Sequence, residues 1–171
     1  MNYRHAINIF DLQDIAERRL PRAVYGFIAG GVENDQSLRN NRDIFERIRF
    51  RPRSPVDVSA RSQEVEIFGR KFASPFGIAP MGIAGIACHE ADIALARAAG
   101  RMKVPFTLSN MSTVPMERVA QSGDHARWLQ AYLSSDRESA KKFVERADAA
   151  GYEILMVTTD VPVPSNREIN L

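Results

Sequence analysis

Pro80-Met81-Gly82, Ser109-Asn110, Gln130, Tyr132, Thr158, Asp160 and Arg167 are the residues whose types and places could do chemistry. Together they offer small backbone, hydroxyls, carboxamides, a phenol, a carboxylate and one guanidinium. The set is poor in nucleophiles and metal ligands and rich in neutral hydrogen-bonding groups. Such groups suit a flat heterocycle with several polar edges better than they suit hydrolysis. Taken singly, Tyr132 also reads as a core tyrosine with a satisfied hydroxyl, and Arg167 as a solvated loop residue. The chain has three histidines. His5 precedes the first helix, His89 lies near a helix start, and His125 sits in a loop before a strand. None pairs at metal-ligand spacing with another His or with Cys88, so caps or surface residues are expected there.

The elements that must position these residues follow from the pattern. An apolar run at 76–80 precedes a helix carrying Ile93, Ala94, Leu95, Ala98 and Ala99, with a stop expected at Gly100. A second run at 104–109 leads to a helix opened near Pro115 and closed near Gly123. A third at 128–133 leads to a helix with a Ser135-x-x-Glu138 capping box and an apolar face of Ala140, Phe143, Val144 and Ala147, ending at Gly151. A fourth run occupies 154–158, and a longer loop follows it through Arg167. Strands alternating with helices at a step of about 25 residues imply right-handed βαβ units and a parallel sheet. Four parallel strands starting near 75, 104, 128 and 154, adjacent in that order, are therefore expected.

Continuous apolar strands with polar C-terminal ends suit a barrel or a doubly wound sheet. No G-x-G-x-x-G follows any strand, and Gly82 and Gly85 have the wrong spacing, so the barrel is favoured. In a barrel the active-site residues sit just past the C-terminal ends of strands, where the set above falls.

Before residue 74 the pattern is different. Asp11 can cap a helix through Ile15 and Leu20, and Pro21 opens another that ends at Gly30-Gly31. A third helix carries Leu38, Ile44, Phe45 and Ile48. Segments 64–67 and 70–73 flank Phe68-Gly69 as a short hairpin. The organisation expected is a helical lead-in and hairpin over 1–73, then the strands and helices of 74–171.

Composition limits the function classes. With 171 residues, 44% hydrophobic and 26% charged, the chain reads as globular with a sizeable core. Its net charge of +2 gives no argument for nucleic acid. Arg47, Arg49, Arg51 and Arg53 alternate with Ile48, Phe50 and Pro52, which places the arginines on one face of an extended segment. A solvated face is the expected reading over a phosphate-binding ridge. No apolar run is long enough for a membrane span, no signal peptide is evident, and Cys88 alone fits a reducing cytosol.

The stretch 20–25 (LPRAVY), then Gly30-Gly31-Val32-Glu33 and Asn41-Arg42, resembles the opening of the FMN-dependent 2-hydroxy-acid dehydrogenases and oxidases. That family includes glycolate oxidase, flavin-type lactate dehydrogenase and mandelate dehydrogenase. The likeness continues through Arg49-Phe50-Arg51-Pro52-Arg53, Val56-Asp57-Val58-Ser59, Ala79-Pro80-Met81-Gly82, Leu129-Gln130-Ala131-Tyr132, Thr158-Thr159-Asp160-Val161-Pro162 and Arg167-Glu168. It runs in order along nearly the whole chain.

The resemblance implies an α/β fold, the N-terminal half of a TIM (β/α)₈ barrel preceded by a helical lead-in and a short β-hairpin. It implies FMN as cofactor and a small 2-hydroxy acid as substrate, oxidised to the 2-oxo acid. Pro80, Met81 and Gly82 would lie against the flavin; Ser109, Gln130 and Thr158 would bind the polar edge of its ring. Tyr132 and Arg167 would bind the substrate, with Arg167 on its carboxylate. Asp160 would support a catalytic His that this chain does not contain. Members commonly have a tyrosine where Phe27 stands, so one carboxylate-binding hydroxyl is missing.

The resemblance also implies that a Lys for the flavin, the catalytic His, a second substrate Arg and the phosphate loops belong to four further strands. A barrel of this kind needs about 250 residues. The chain is therefore expected to be inactive alone and to need its missing C-terminal half, the intact enzyme being cytoplasmic, with peripheral membrane association or a homo-oligomer as further options. The alternative is a non-catalytic fragment or half-barrel that pairs with another chain.

Overall fold

The computed structural model describes residues 3–161, 163 and 165–167. Pro162, Pro164 and Glu168 of the loop noted above lie outside the described residues. The chain divides into two compact units, Met1–Val56 with Val163–Leu171, and Asp57–Pro162.

The first unit is helical: α1 (Ile9–Arg19), α2 (Arg22–Ala29) and α3 (Gln36–Arg47). Asn8, rather than Asp11, caps α1 by accepting the Asp11 N–H at 2.9 Å. Asp11 returns the favour outside the helix, accepting from the Ile7 N–H at 2.9 Å. The reciprocal pair satisfies two orphan donors and starts the helix one turn earlier than a cap at Asp11 would. Pro21 precedes α2, where its missing N–H costs nothing, and Gly30 ends it. Arg47 closes α3, and Arg49, Arg51 and Arg53 follow in exposed backbone that belongs to no strand.

The second unit opens with a hairpin, β1 (Val65–Ile67) against β2 (Arg70–Phe72). Phe68 and Gly69 both take positive φ, 49° and 75°, which matches the right-handed twist of the strands they join. A parallel sheet follows in the order β3 (Thr107–Leu108), β4 (Trp128–Ala131), β5 (Ile154–Val157). The register pairs Thr107 with Trp128, Leu108 with Leu129, and Trp128 with Ile154. The expected first strand is reduced to a single parallel bridge, Ile78 to Phe106. Three of the expected strands are thus present, parallel and adjacent in order; the first contributes one bridge.

The helices α4 (Ala91–Met102), α5 (Met116–Ala120) and α6 (Arg137–Ala149) follow the 76–80 segment, β3 and β4 in turn. Ile93, Ala96 and Ala99 of α4, Val119 of α5 and Ala147 of α6 form one core with Leu108 and Leu129. Leu108, Leu129 and Val119 are fully buried, each contributing about 1.5–3 kcal/mol by leaving water. Gly100 does not stop α4, which runs on to Met102 and turns at Lys103. A Cβ at Gly100 would lie 2.1 Å from the Asp124 carbonyl oxygen, so glycine is there for close approach. Asp136, not Ser135, caps α6, accepting the Ser139 N–H at 2.8 Å.

The hairpin packs on the residues that begin the strands. Phe72 and Phe68 meet Trp128 edge to face at 5.8 and 5.9 Å, with Ile154 against the same cluster. One end of the sheet is thereby covered by apolar rings.

That cover and the Gly100 approach explain His125, which is buried rather than on the surface. Its ring stands edge to face with Phe106 at 5.9 Å; Nδ1 donates to the Gly123 carbonyl at 3.0 Å, and Nε2 has no partner among the described residues. Desolvation holds its pKa below the usual histidine value, against the Gly123 bond and with help from Arg127 and Arg70. Well above pH ~6.5 the ring is neutral folded or unfolded, so it adds no pH dependence there. Below that value the unfolded chain takes up a proton that the folded chain resists. Urea midpoints should therefore fall between pH 6.5 and 5.5, before carboxylates titrate, and His125→Phe should flatten that slope. A midpoint that stays level, or the same slope in the variant, would contradict the assignment.

Candidate functional site

The polar residues at the strand ends are brought together by register and alternation. Leu108 and Leu129 face the helical core, so Ser109 and Gln130, one residue on, face the other side of the sheet. Continuing the β3–β4 register sets Ser109 beside Gln130. Gln130 pairs with Met156, and Thr158 lies two residues further along the same face.

Hydrogen bonds turn this placement into one row. The Ser109 hydroxyl donates to Gln130 Oε1 at 3.3 Å, and the Asn110 N–H donates to the same oxygen at 3.1 Å. Gln130 Nε2 donates to Thr158 Oγ1 at 2.7 Å. Ser109 and Gln130 are buried and Thr158 is half-buried. The row therefore crosses all three strands, tied at its far end by the Thr158 N–H on the Ala131 carbonyl at 3.0 Å.

Pro80, Met81 and Gly82 follow the Ile78 bridge and run over the 109–111 turn. The Ile83 N–H donates to the Met111 carbonyl at 2.7 Å, and the Met111 N–H to Ser109 Oγ at 3.1 Å. A Cβ at Gly82 would meet Met111 Cβ at 3.2 Å and Ser109 Oγ at 3.8 Å. Bare backbone thus lies close to the start of the polar row. Asn110, expected at this strand end for its carboxamide, contributes its backbone N–H instead, and Met111, which no residue type marks, acts through backbone and bulk.

Tyr132 stands one residue beyond β4 instead of within it, 47% exposed, and its hydroxyl has no hydrogen bond among the described residues. Asp160 is exposed two residues past Thr158. Phe27 and Arg167 both belong to the first unit, where they touch. The Arg167 guanidinium carbon lies 4.9 Å from the Phe27 ring centre, and Nη1 donates to the Phe27 carbonyl at 2.9 Å. A cleft of about 310 Å³ runs outward from Ser109 and Asn110 between α5 and α6, and its lining includes neither Gln130 nor Thr158. The hydrogen-bonded row, not that cleft, collects the strand-end chemistry. Among the described residues no group of three or more His, Cys, Asp or Glu could hold a metal ion, and no helix is long and apolar enough to cross a membrane.

The model of the FMN-dependent dehydrogenase family matches residues 16–171. The chain belongs to this family. Among its relatives, (S)-mandelate dehydrogenase of Pseudomonas putida is 38% identical over 168 residues, covering 98% of this chain and 42% of that protein. Glycolate oxidase 1 of Oryza sativa subsp. indica is 35% identical over 164 residues, covering 96% of this chain and 44% of that protein. A solved structure of (S)-mandelate dehydrogenase, described as a monotopic membrane protein, superposes with a TM-score of 0.92 at 38% identity. That match covers 97% of this chain and 44% of the other. The chain thus spans less than half the length of these relatives, and the family is FMN-dependent.

Proposed function

We propose that the protein to which this chain contributes oxidises a small 2-hydroxy acid to the 2-oxo acid with FMN. The observation that carries the reading is the row Ser109–Gln130–Thr158 across three parallel strand ends. The donor chemistry of the row fits the ring edge of FMN. Gln130 uses one amide N–H on Thr158 and keeps a second, while Thr158, having accepted that bond, has its own O–H left to donate. Two donors side by side complement the carbonyl oxygens of a flavin pyrimidine edge, and the close backbone at Gly82 leaves room for a flat ring.

Bound FMN would supply the hydride acceptor. This chain's residues would do the rest of the holding. Pro80, Met81 and Gly82 would lie along the ring, and Ser109, Gln130 and Thr158 would hold its polar edge. The Tyr132 hydroxyl, without a partner of its own, is available to the substrate. Arg167 clamps the carboxylate through its planar fork. Asp160 supports a proton-accepting His supplied by another part of the protein. Residues 74–171 would form the first four strands of a (β/α)₈ barrel behind a 1–73 lead-in, in a cytoplasmic protein or one attached peripherally to a membrane.

Anaerobic addition of lactate, glycolate or mandelate to the intact holoenzyme should bleach its yellow absorbance; an unbleached protein would refute the reading. Arg167→Met should leave FMN content near normal and lower kcat/KM by about 10- to 150-fold, the loss of a charge-assisted bond of about 1.5–3 kcal/mol. Unchanged kinetics in that variant would return Arg167 to the role of a structural residue.

A second reading, a non-catalytic half that pairs with another chain, draws on the outer edge of β5. Among the described residues β5 pairs only with β4, and Met156 and Val157 are exposed there. Capture of a partner chain without flavin bleaching would favour it.

A further inference from the structure

We propose that Phe27 is a positioning residue that holds Arg167 for carboxylate binding, by its ring face and its backbone carbonyl together. The inference rests on the reading of Arg167 as the carboxylate clamp and deepens it.

The geometry begins with a helix end. The last carbonyls of an α-helix have no partner within it, and the donor due to Phe27 O is the Gly31 N–H. That N–H is engaged elsewhere, on Asp35 Oδ1 at 3.0 Å. Arg167 Nη1 takes the place, donating to Phe27 O at 2.9 Å. A cation at a helix C-terminus is also favoured by the helix dipole. The same side chain lies over the Phe27 ring at 4.9 Å, within the range of cation–π attraction. The segment leading to it is held as well, since the Glu33 N–H donates to the Asn166 carbonyl at 3.2 Å.

A helix cap uses one N–H, and Arg carries five. The remaining donors of Arg167 make no hydrogen bond and no ion pair among the described residues. The guanidinium plane is therefore fixed by one edge and one face, with the rest of its fork free for a planar anion. A phenol at position 27 would add a hydroxyl, but neither the ring face nor the carbonyl needs one. The family's usual tyrosine would give the same hold; Phe27 keeps the hold and drops the extra donor.

The test uses the intact holoenzyme with Phe27→Leu, Phe27→Tyr, Arg167→Met and the double variant Phe27→Leu/Arg167→Met. Leucine keeps apolar bulk and loses the π face, so KM should rise about 3- to 30-fold with FMN content and kcat changed less. Tyrosine keeps the ring face, so KM in Phe27→Tyr should be no higher than in wild type. The double variant should be no worse than Arg167→Met alone, because both changes remove one clamp. Multiplying effects in the double variant, or an unchanged KM in Phe27→Leu while Arg167→Met raises it, would overturn the proposal and leave the clamp standing. If Arg167→Met itself leaves KM unchanged, the clamp reading fails and the proposal with it. Coupled losses in thermal stability would then identify the pair as a cap on α2 only.

Discussion

Gln130→Leu should destabilise the protein by about 1–4 kcal/mol and strip most of its flavin. Leucine nearly matches glutamine in volume, so the loss does not come from a cavity. It comes from the groups left behind. Ser109's hydroxyl and the Asn110 N–H both end on Gln130 Oε1, and both lose their acceptor. A buried donor without a partner costs about 1–3 kcal/mol, which the buried Ser109 hydroxyl incurs in full and the half-buried Asn110 N–H only in part. Thr158 loses its bond from Gln130 Nε2 as well, but it is half-buried and has other ways to satisfy its hydroxyl. Thr158→Val is the useful contrast: it removes one end of the row and leaves the Ser109 and Asn110 bonds in place. That variant should lose flavin while unfolding within about 1 kcal/mol of wild type. Urea unfolding and flavin absorbance of the intact protein separate the two outcomes. Should Gln130→Leu unfold like wild type and stay fully yellow, the row is neither a structural nor a cofactor element.

The difference between these variants shows which parts of the site could be read in the sequence. Gln130, Ser109 and Thr158 were visible because polar residues at the ends of apolar runs stand out against strands buried on both faces. Register then joined them, and register follows from strands whose starts were located closely: Trp128 and Ile154 begin β4 and β5 as expected. Short strands were less legible. Residues 76–80 look as apolar as 128–131, yet pair only at Ile78, because apolar character says where a segment is buried and not how many backbone bonds it makes.

Caps and glycines failed for a related reason. Asn8 and Asp11, or Ser135 and Asp136, are equivalent cap residues by type, and the choice depends on backbone angles set by neighbours. Gly100 reads as a helix stop when considered locally; only the approach of Asp124, 24 positions along the chain, gives it another purpose. His125 reads as a cap or surface residue on the same local grounds, and the Phe106 ring helps to bury it. The contact between Phe27 and Arg167 spans 140 positions and had no local signature at all.

The 171-residue chain produced by itself should neither hold FMN nor oxidise a 2-hydroxy acid at a measurable rate. Its polar row offers neutral hydrogen bonds of about 0.5–1.5 kcal/mol each, too few to retain a flavin by the ring edge. In the proposed (β/α)₈ barrel, the charge-assisted anchor for the phosphate would belong to loops after strands seven and eight. A proton acceptor is lacking as well. Ser109, Gln130 and Thr158 include no general base, and His125 is buried before β4, at the other end of that strand from the row. General base catalysis is worth about 10²–10⁴-fold, and without it turnover should vanish even when free flavin is added. The exposed Met156 and Val157 on a β5 edge that has no second partner among the described residues should drive association in solution. Three measurements check this: absorbance near 450 nm after purification, light scattering, and an artificial-acceptor assay with lactate, glycolate and mandelate. Supplying the remaining strands in trans should restore colour and activity together. A yellow, monomeric and active 171-residue protein would instead place a complete flavin site within these residues, and the partition of the site between this chain and further strands would be wrong.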